Sequence, residues 1–370
     1  MPKTTQLHSY HEKHGRLTEF AGYEMPLWYT TTTDEHLAVR NASGVFDVSH
    51  MGRFMVEGTR AAGFLEGLVP TNVGPQPPGK AFYTLLLNER GGIIDDLIIE
   101  KLRDDRFMVV VNAANAETDM RHLQAHAPHG LDINDLTTST AMIAVQGPKA
   151  AETLQPLTDA DLNQLKRFRC SEVNVAGTRC LASRTGYTGE DGFEVIVYDT
   201  SNEKPEGAMR VWEKLTAAST PCGLGARDSL RLEAGFPLHG SDIDQDTDPY
   251  QAELAWVISS GKSGFVGSDS IIDPRRQRPL RVRRGLELDS GVPRHGFEIS
   301  GQAGVVGTVT SGGFSPLIRK GIALCMVDST TAEFGTKVGV MVREARQEGT
   351  ITKPPFYDES LYGWKRQKGN

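Results

Sequence analysis

The spacing of hydrophobic and polar positions changes period several times along the 370-residue chain. Apolar runs at Phe54–Val56, Ala81–Leu87, Ile93–Leu102 and Phe107–Val111 predict strands, and a helical pattern near Glu117–His126 follows them. A second group, Met142–Val145, Cys170–Val175, Arg179–Ser183 and Phe193–Tyr198, again predicts strands followed by a helix. That helix sets Ala208, Val211, Trp212 and Leu215 at i, i+3, i+4 and i+7, a stripe one core can bury. The two groups also open alike: Val56-Glu-Gly-Thr-Arg-Ala-Ala-Gly-Phe-Leu65 matches Val145-Gln-Gly-Pro-Lys-Ala-Ala-Glu-Thr-Leu154 as strand, turn and helix. The order predicts an internal repeat of two β-α-β-type halves. It would put Asp96-Leu-Ile-Ile99 and Glu194-Val-Ile-Val197 at comparable strand positions, bringing two carboxylates towards one shared cavity.

Ahead of the repeat, Thr32-Thr-Asp-Glu35 has the form of a helix capping box. Behind it, the proline-bounded basic stretch Ile272-Asp-Pro-Arg-Arg-Gln-Arg-Pro279 reads as a linker. Short strand patterns at Arg283–Leu288, Gly304–Thr310, Gly321–Val327 and Lys337–Arg343, separated by glycine turns, predict a small antiparallel barrel or sandwich.

A chain this long suggests two or three domains, and its 38% hydrophobic and 24% charged residues describe a globular protein. No run approaches the ~18–20 apolar residues of a spanning helix. The first twenty residues show no apolar segment behind Lys3 and carry acids, so the expectation is a mature cytoplasmic N-terminus. A net charge of −7 disfavours a nucleic-acid partner. The four cysteines form no C-x-x-C pair, which points to reduced thiols rather than a disulfide or zinc framework.

Several stretches carry candidate chemistry. Strand alternation puts Phe193, Val195 and Val197 on one face and Glu194, Ile196 and Tyr198 on the other. An unpaired buried carboxylate is costly, so Glu194 either sits at a wet strand end or faces a partner. In Gly91-Gly-Ile-Ile-Asp-Asp-Leu-Ile-Ile99 the same alternation groups Asp96 with Ile94 and Ile98, and Asp95 with Ile93, Leu97 and Ile99. Either one acid is desolvated and suited to proton transfer, or both lie on a solvated hairpin rim. Cys222-Gly-Leu-Gly-Ala-Arg-Asp-Ser-Leu-Arg231 lacks the third glycine of a dinucleotide fingerprint. As a helix start it sets Arg227 and Arg231 on one face, for an anionic ligand or for an ion pair within the fold. Asp242-Ile-Asp-Gln-Asp-Thr-Asp-Pro249 imitates a calcium loop but has Thr247 where the sharp-turn glycine belongs, and reads as a solvated loop. His122, His126 and His129 have zinc-like spacing without the adjacent glutamate, and read as a wet helix face. The arginines at 275, 276, 278, 281, 283 and 284 form a basic stretch suited to an acidic partner or to a solvated linker.

Taken in order, FAGYEMPLWY, GVFDVSHMG, GKAFYTLLLNERGGIIDDL, MIAVQGPKA, RTGYTGEDGFEV, GLGARDSLRLEAG and TSGGFSP closely resemble the glycine cleavage T-protein family of aminomethyltransferases, from about Gln6 to Tyr357. The resemblance implies an α+β fold, a three-domain cloverleaf around a central folate-binding cavity. Its first α/β domain would be discontinuous, 1–50 with 138–272; the second α/β domain would span 51–137, and a C-terminal antiparallel β-barrel 273–370. It implies a one-carbon transferase that takes the aminomethyl group from the lipoylated H-protein and passes its carbon to tetrahydrofolate, with no metal. Glu194 matches the family's pterin-binding glutamate and Tyr187 a tyrosine packed by the ligand. Asp96 matches the catalytic aspartate, with Asn112 on the neighbouring strand holding it. Met51, Tyr83 and Val110 would be pocket walls, and Arg227 an arginine at the folate site. Some relatives use a C-terminal arginine for the folate's glutamate tail; here Tyr362 and Arg366 are the candidates. A folate-dependent demethylase and a non-catalytic folate-binding iron–sulfur assembly protein are the alternatives on this scaffold, although the K-G-C-Y-x-G-Q-E-like motif of the latter is absent.

Overall fold

The computed structural model describes residues 1–302, 304–342 and 345–366. The first sheet has six strands in the order Cys170–Val175, Thr178–Ser183, Gly192–Val197, Ala141–Gln146, Gly44–Asp47 and Thr220–Cys222. Its last pair is parallel and the others antiparallel. The second sheet has five antiparallel strands in the order Lys80–Leu87, Ile93–Arg103, Arg106–Val111, Gly52–Glu57 and Asp132–Asp135. Both sheets are built from alternating runs, so each has two faces to bury.

Phe193, Val195 and Val197 share a core with Ala208, Val211, Trp212 and Leu215 of the helix Glu206–Thr216, as the stripe predicts. Trp212 is fully buried, edge-on to Tyr10 at 5.5 Å between ring centres. Trp212→Ala should cost about 3–5 kcal/mol, read as a fall in the urea midpoint. On the second sheet, Leu97, Ile99, Phe107 and Val109 pack under the helices Ala61–Glu66 and Ala116–His126 through Phe64, Leu65 and Leu123. The opposite faces of the two sheets meet: Phe46, Met142, Ala144, Leu181 and Ile196 from one form a single core with Met55, Met108 and Val110 from the other.

The repeat is present in the backbone. Gly58 and Gly147, which end the matching strands, both have φ of 128°, a value L side chains avoid. A Cβ on Gly147 would also come within 2.4 Å of the Ala42 carbonyl. The strand orders match as well, but they correct one expectation. Counting from Gly52–Glu57 and Ala141–Gln146, the strand of Asp96 is the counterpart of Thr178–Ser183, and the strand of Glu194 is the counterpart of Arg106–Val111. The two acids therefore come from non-equivalent strands.

Two local readings also shift. The helix Thr32–Asn41 is capped one residue early, by Thr31, whose hydroxyl accepts from Asp34 N at 3.1 Å. Glu35 instead accepts from Tyr29 N (2.6 Å), Thr30 N (2.9 Å) and Gly223 N (2.8 Å). It thereby anchors the start of the Leu224–Ala234 helix. A bulge where Leu86 and Leu87 face Asp95 and Ile93 turns Ile94 away from Asp96, into the outer core with Leu97 and Ile99.

The segment 243–271, expected with the first sheet, lays Ile243, Leu254, Val257, Phe265 and Ile271 on Leu85, Leu87 and Ile93 of the second. The C-terminal strands close into a six-stranded antiparallel barrel, in the order Arg281–Leu288, Lys320–Asp328, Val305–Ser315, Glu298–Ser300, Lys337–Val342 and Ala345–Thr352. The sequence pattern missed Glu298–Ser300, which is too short to show a period, and Ala345–Thr352, whose first half is mostly polar. Arg343, at the end of one expected strand, lies outside the described residues. Among the described residues no helix is long and apolar enough to cross a membrane.

Candidate active site between the two sheets

The acid pair is neither simply dry nor simply wet: its two members part company. Asp95 is fully buried under the Ala116–His126 helix. It accepts from Asn112 N (2.9 Å), Asn112 Nδ2 (2.8 Å) and Asn115 Nδ2 (2.6 Å). Asp96 turns to the inter-sheet side, beside Ile98 on its own strand and opposite Leu85. There it accepts from the Tyr83 hydroxyl at 3.0 Å and from Asn112 Nδ2 at 2.9 Å. Asn112 thus fixes both acids from one position just past a strand end. Burial, reinforced by the Asp95 charge, lifts the Asp96 carboxyl to about 6, which brings a carboxylate into the range useful for moving protons near neutrality.

Around this pair stand groups the sequence did not single out. Trp256, 67% exposed, stacks on Tyr83 at 5.6 Å and 20°. His239 is held between Asn115 Nδ2 (2.9 Å) and the Ile93 carbonyl (3.0 Å). Asp119 is fully buried, and no donor reaches either of its oxygens among the described residues. Burial and the neighbouring Asp95 charge push it up to about 10, which favours its neutral form. Glu100, also on the inter-sheet side, is buried and accepts from Ser183 Oγ of the first sheet. Burial and the charge of Glu194 push it up to about 8. All four are brought in by pairing or packing at long range, so no local motif marks them.

Glu194 lies between Ser183 and Ala144 on the face that meets the second sheet. Its Oε2 accepts from the Thr185 hydroxyl at 2.5 Å, and Oε1 has no partner among the described residues. The Tyr187 ring stacks on Phe236 at 5.8 Å, its hydroxyl donates to the Pro237 carbonyl, and the Arg227 guanidinium lies 4.9 Å over it. Burial pulls Arg227 down while the Glu194 charge holds it up. Burial raises Tyr187, and the Asp96 charge adds to that. The Asp96 charge thus acts on Tyr187 and the Glu194 charge on Arg227, and these two stack on each other. Val110 belongs to the inter-sheet core and Met51 packs against it.

The remaining candidates go elsewhere. Arg231 is spent on Asp228 (2.9 Å), Asp242 (2.8 Å) and Ser311 (2.9 Å), which ties its helix to the barrel. Asp242, from the calcium-like loop, is thus an ion-pair partner. Tyr362 lies under Arg366 at 5.8 Å, and Arg366 is bound to Glu190 at 2.5 Å, so neither joins the central group. In the basic stretch, Arg283 is buried and donates to the Ala252 and Gly235 carbonyls, and Arg276 pairs with Asp248 at 3.0 Å. A pocket of about 530 Å³ lies between this stretch and the barrel, lined by Trp256, Arg278 and Arg284 among others but by none of the central carboxylates. Among the described residues no group of three or more histidines, cysteines, aspartates or glutamates could hold a metal ion.

Comparison with known proteins bears on the whole chain. Residues 7–262 match the family model described as the GCVT N-terminal domain, and 281–358 match the glycine cleavage T-protein C-terminal barrel domain. An aminomethyltransferase of Caldanaerobacter subterraneus is 39% identical over 97% of this chain and 97% of its own length. One from Thermus thermophilus is 45% identical over 88% of this chain and 91% of its own. The crystal structure of the glycine cleavage system aminomethyltransferase T of Bartonella henselae superposes with a TM-score of 0.90 at 36% identity, covering 98% of this chain and 100% of that one. The chain belongs to the glycine cleavage T-protein family of aminomethyltransferases.

Proposed function

We propose that Glu194, Tyr187 and Arg227 hold the pterin of tetrahydrofolate against the first sheet, while Asp96, fixed by Tyr83 and Asn112, serves the reacting nitrogens from the second. The family's reaction is the tetrahydrofolate-dependent step of glycine cleavage. The aminomethyl carbon leaves the lipoyl sulfur and its own amine and becomes the methylene bridge between N5 and N10. Two N–H protons leave the folate; one ends on ammonia and the other on the dihydrolipoyl thiol, and no electrons change hands. The observation that carries the site assignment is that Asp96, held by Tyr83 and Asn112, and Glu194, oriented by Thr185 with Oε1 unengaged, lie on the facing sides of the two sheets.

Each residue has a task that its chemistry suits. The reduced pterin offers a ring N–H beside an amino group, and a carboxylate accepts that edge with two parallel bonds. The unengaged Oε1 of Glu194, with Oε2 oriented by Thr185, suits it. Tyr187 supplies a flat wall that already carries a guanidinium on one side. Asp96 can orient N5 and N10 and relay their protons, and Asn112 positions it. Met51, Val110 and Tyr83 supply walls. Tyr362 has no part in the pterin end.

Sheet membership supports grouping 1–50 with 138 onwards, since Gly44–Asp47 pairs beside Ala141–Gln146; it supports 51–137 as the second unit and the barrel as the third. The packing of 243–271 moves the first boundary towards residue 242. The specific partner we propose is the lipoylated H-protein. A cytoplasmic setting is supported by four free, buried cysteines. The demethylase and assembly-protein alternatives gain no support from the aminomethyltransferase relatives.

The deciding experiment mixes the purified protein with tetrahydrofolate and aminomethyl-loaded H-protein and measures ammonia and 5,10-methylenetetrahydrofolate. Equal yields of both are expected; absence of either removes the reading. The pH dependence should carry the mark of Asp96. Its carboxyl is raised, so it is protonated and inactive as an acceptor below about 6 and ionised above. Turnover should climb through that region, well above the ordinary carboxylate range, and a flat profile between pH 5 and 7 would exclude Asp96 as the titrating group.

A further inference from the structure

Away from the acid pair, a set of buried charges joins four separate stretches of chain. Arg40, fully buried, donates to Glu233 (3.0 Å), the Thr188 carbonyl (2.8 Å), the Leu230 carbonyl (3.2 Å) and Glu190 Oε1 (3.1 Å). The Glu190 carboxylate is itself inaccessible and takes a second guanidinium on Oε2, from Arg366 at 2.5 Å. Gly363 N completes it at 3.0 Å, and Arg366 also donates to the Arg40 carbonyl at 3.2 Å. The backbone is pinned alongside: Trp364 N donates to the Gly189 carbonyl at 3.0 Å, and the Tyr357 ring lies 4.6 Å from the Arg40 guanidinium. Gly189, at φ 79°, leaves room for this; a Cβ there would meet the Tyr357 hydroxyl at 2.2 Å.

Residues 357–366 thus lie as a strap on the turn 184–191, between the strands Thr178–Ser183 and Gly192–Val197. That turn carries Thr185, which orients Glu194, and Tyr187, which stands under Arg227. Among the described residues the strap makes no hydrogen bond to either residue. It acts on them through Glu190, three residues past Tyr187 in a turn too short to move piecewise.

We infer that Arg366 and Glu190 are positioning residues for the pterin site: the C-terminal strap locks the 184–191 turn in its ligand-ready form, and Arg366 does not reach for the folate's glutamate tail. The physical basis is preorganisation, since a turn already fixed loses no freedom on binding. Both ends of the pair are largely withdrawn from water, so removing Arg366 leaves the buried Oε2 of Glu190 without its donor and frees the strap end from the turn. The inference rests on the pterin reading of Glu194 and Tyr187.

The test compares two ligands that differ only at the tail: tetrahydrofolate and tetrahydropteroate, which lacks the glutamate. Dissociation constants are measured by anaerobic calorimetry for the wild type and for Arg366→Ala, Arg366→Lys, Glu190→Gln and Glu194→Gln. Arg366→Ala should weaken both ligands by the same factor, about threefold to thirtyfold, the range of coupling carried by packed networks. Arg366→Lys should recover most of that, and Glu190→Gln combined with Arg366→Ala should cost little more than either alone. If Arg366→Ala does not fold, Trp364→Ala loosens the strap without stranding a buried charge, because its indole is half exposed over Arg167. The same uniform weakening is then expected. A loss confined to tetrahydrofolate would make Arg366 a tail contact and overturn the inference; so would unchanged affinity for both ligands. Glu194→Gln separates the two levels, since unchanged tetrahydropteroate binding there defeats the pterin reading itself.

Discussion

Asp96→Asn should lower turnover about 10²–10⁴-fold, the usual contribution of a placed general acid–base group, while tetrahydrofolate binding stays within a few-fold. The side chain keeps its shape, and the Tyr83 hydroxyl can turn from donating to accepting. Asn112 then meets the remaining oxygen, so the surroundings stay intact. What is lost is the charge that orients the nitrogen lone pairs and the site that receives a proton. Loss of a buried carboxylate that carries a desolvation cost should leave the fold at least as stable. Single-turnover formation of methylenetetrahydrofolate, with a melting curve as control, checks this. Near wild-type turnover would remove Asp96 from its role.

Glu194→Gln should weaken tetrahydrofolate binding about tenfold to a hundredfold, the scale of about 1.5–3 kcal/mol for hydrogen bonds to a charged group. Glutamine offers one acceptor where the carboxylate offers two, and its amide hydrogens face the donors of the pterin edge. It also leaves the Arg227 guanidinium, already disfavoured by burial, without the charge that holds it up. Calorimetric titration checks this, and unchanged affinity would place the pterin elsewhere.

Local chemistry made much of this legible. The stripe Ala208–Leu215 shows its period because one face is buried along the whole element, and Cys170–Val175 shows part of its period through buried Val173 and Val175. The repeat showed through because Gly58 and Gly147 need the same backbone angle. The residue types of the site were visible too, Asp96 and Glu194 each as an acid opening an apolar run. What the sequence could not show was pairing. Equal order along the chain suggested that the two acids were counterparts, but sheet order is fixed by which strands lie side by side, and it separates them. The bulge that turns Ile94 outward, the packing of 243–271 on the second sheet, and the arrival of His239 and Trp256 beside Asp96 are likewise long-range results. Arg366 shows the same limit: its charge suggested a ligand, and a buried glutamate 176 positions away claims it.

The unlike origins of the two acids bear on how such an enzyme came to exist. If the halves descend from one doubled unit, a symmetrical ancestor would have shown each acid twice or not at all, and never one of each face to face. One-sided chemistry, with a ring read on one wall and protons moved on the other, therefore belongs to the time after the copies diverged.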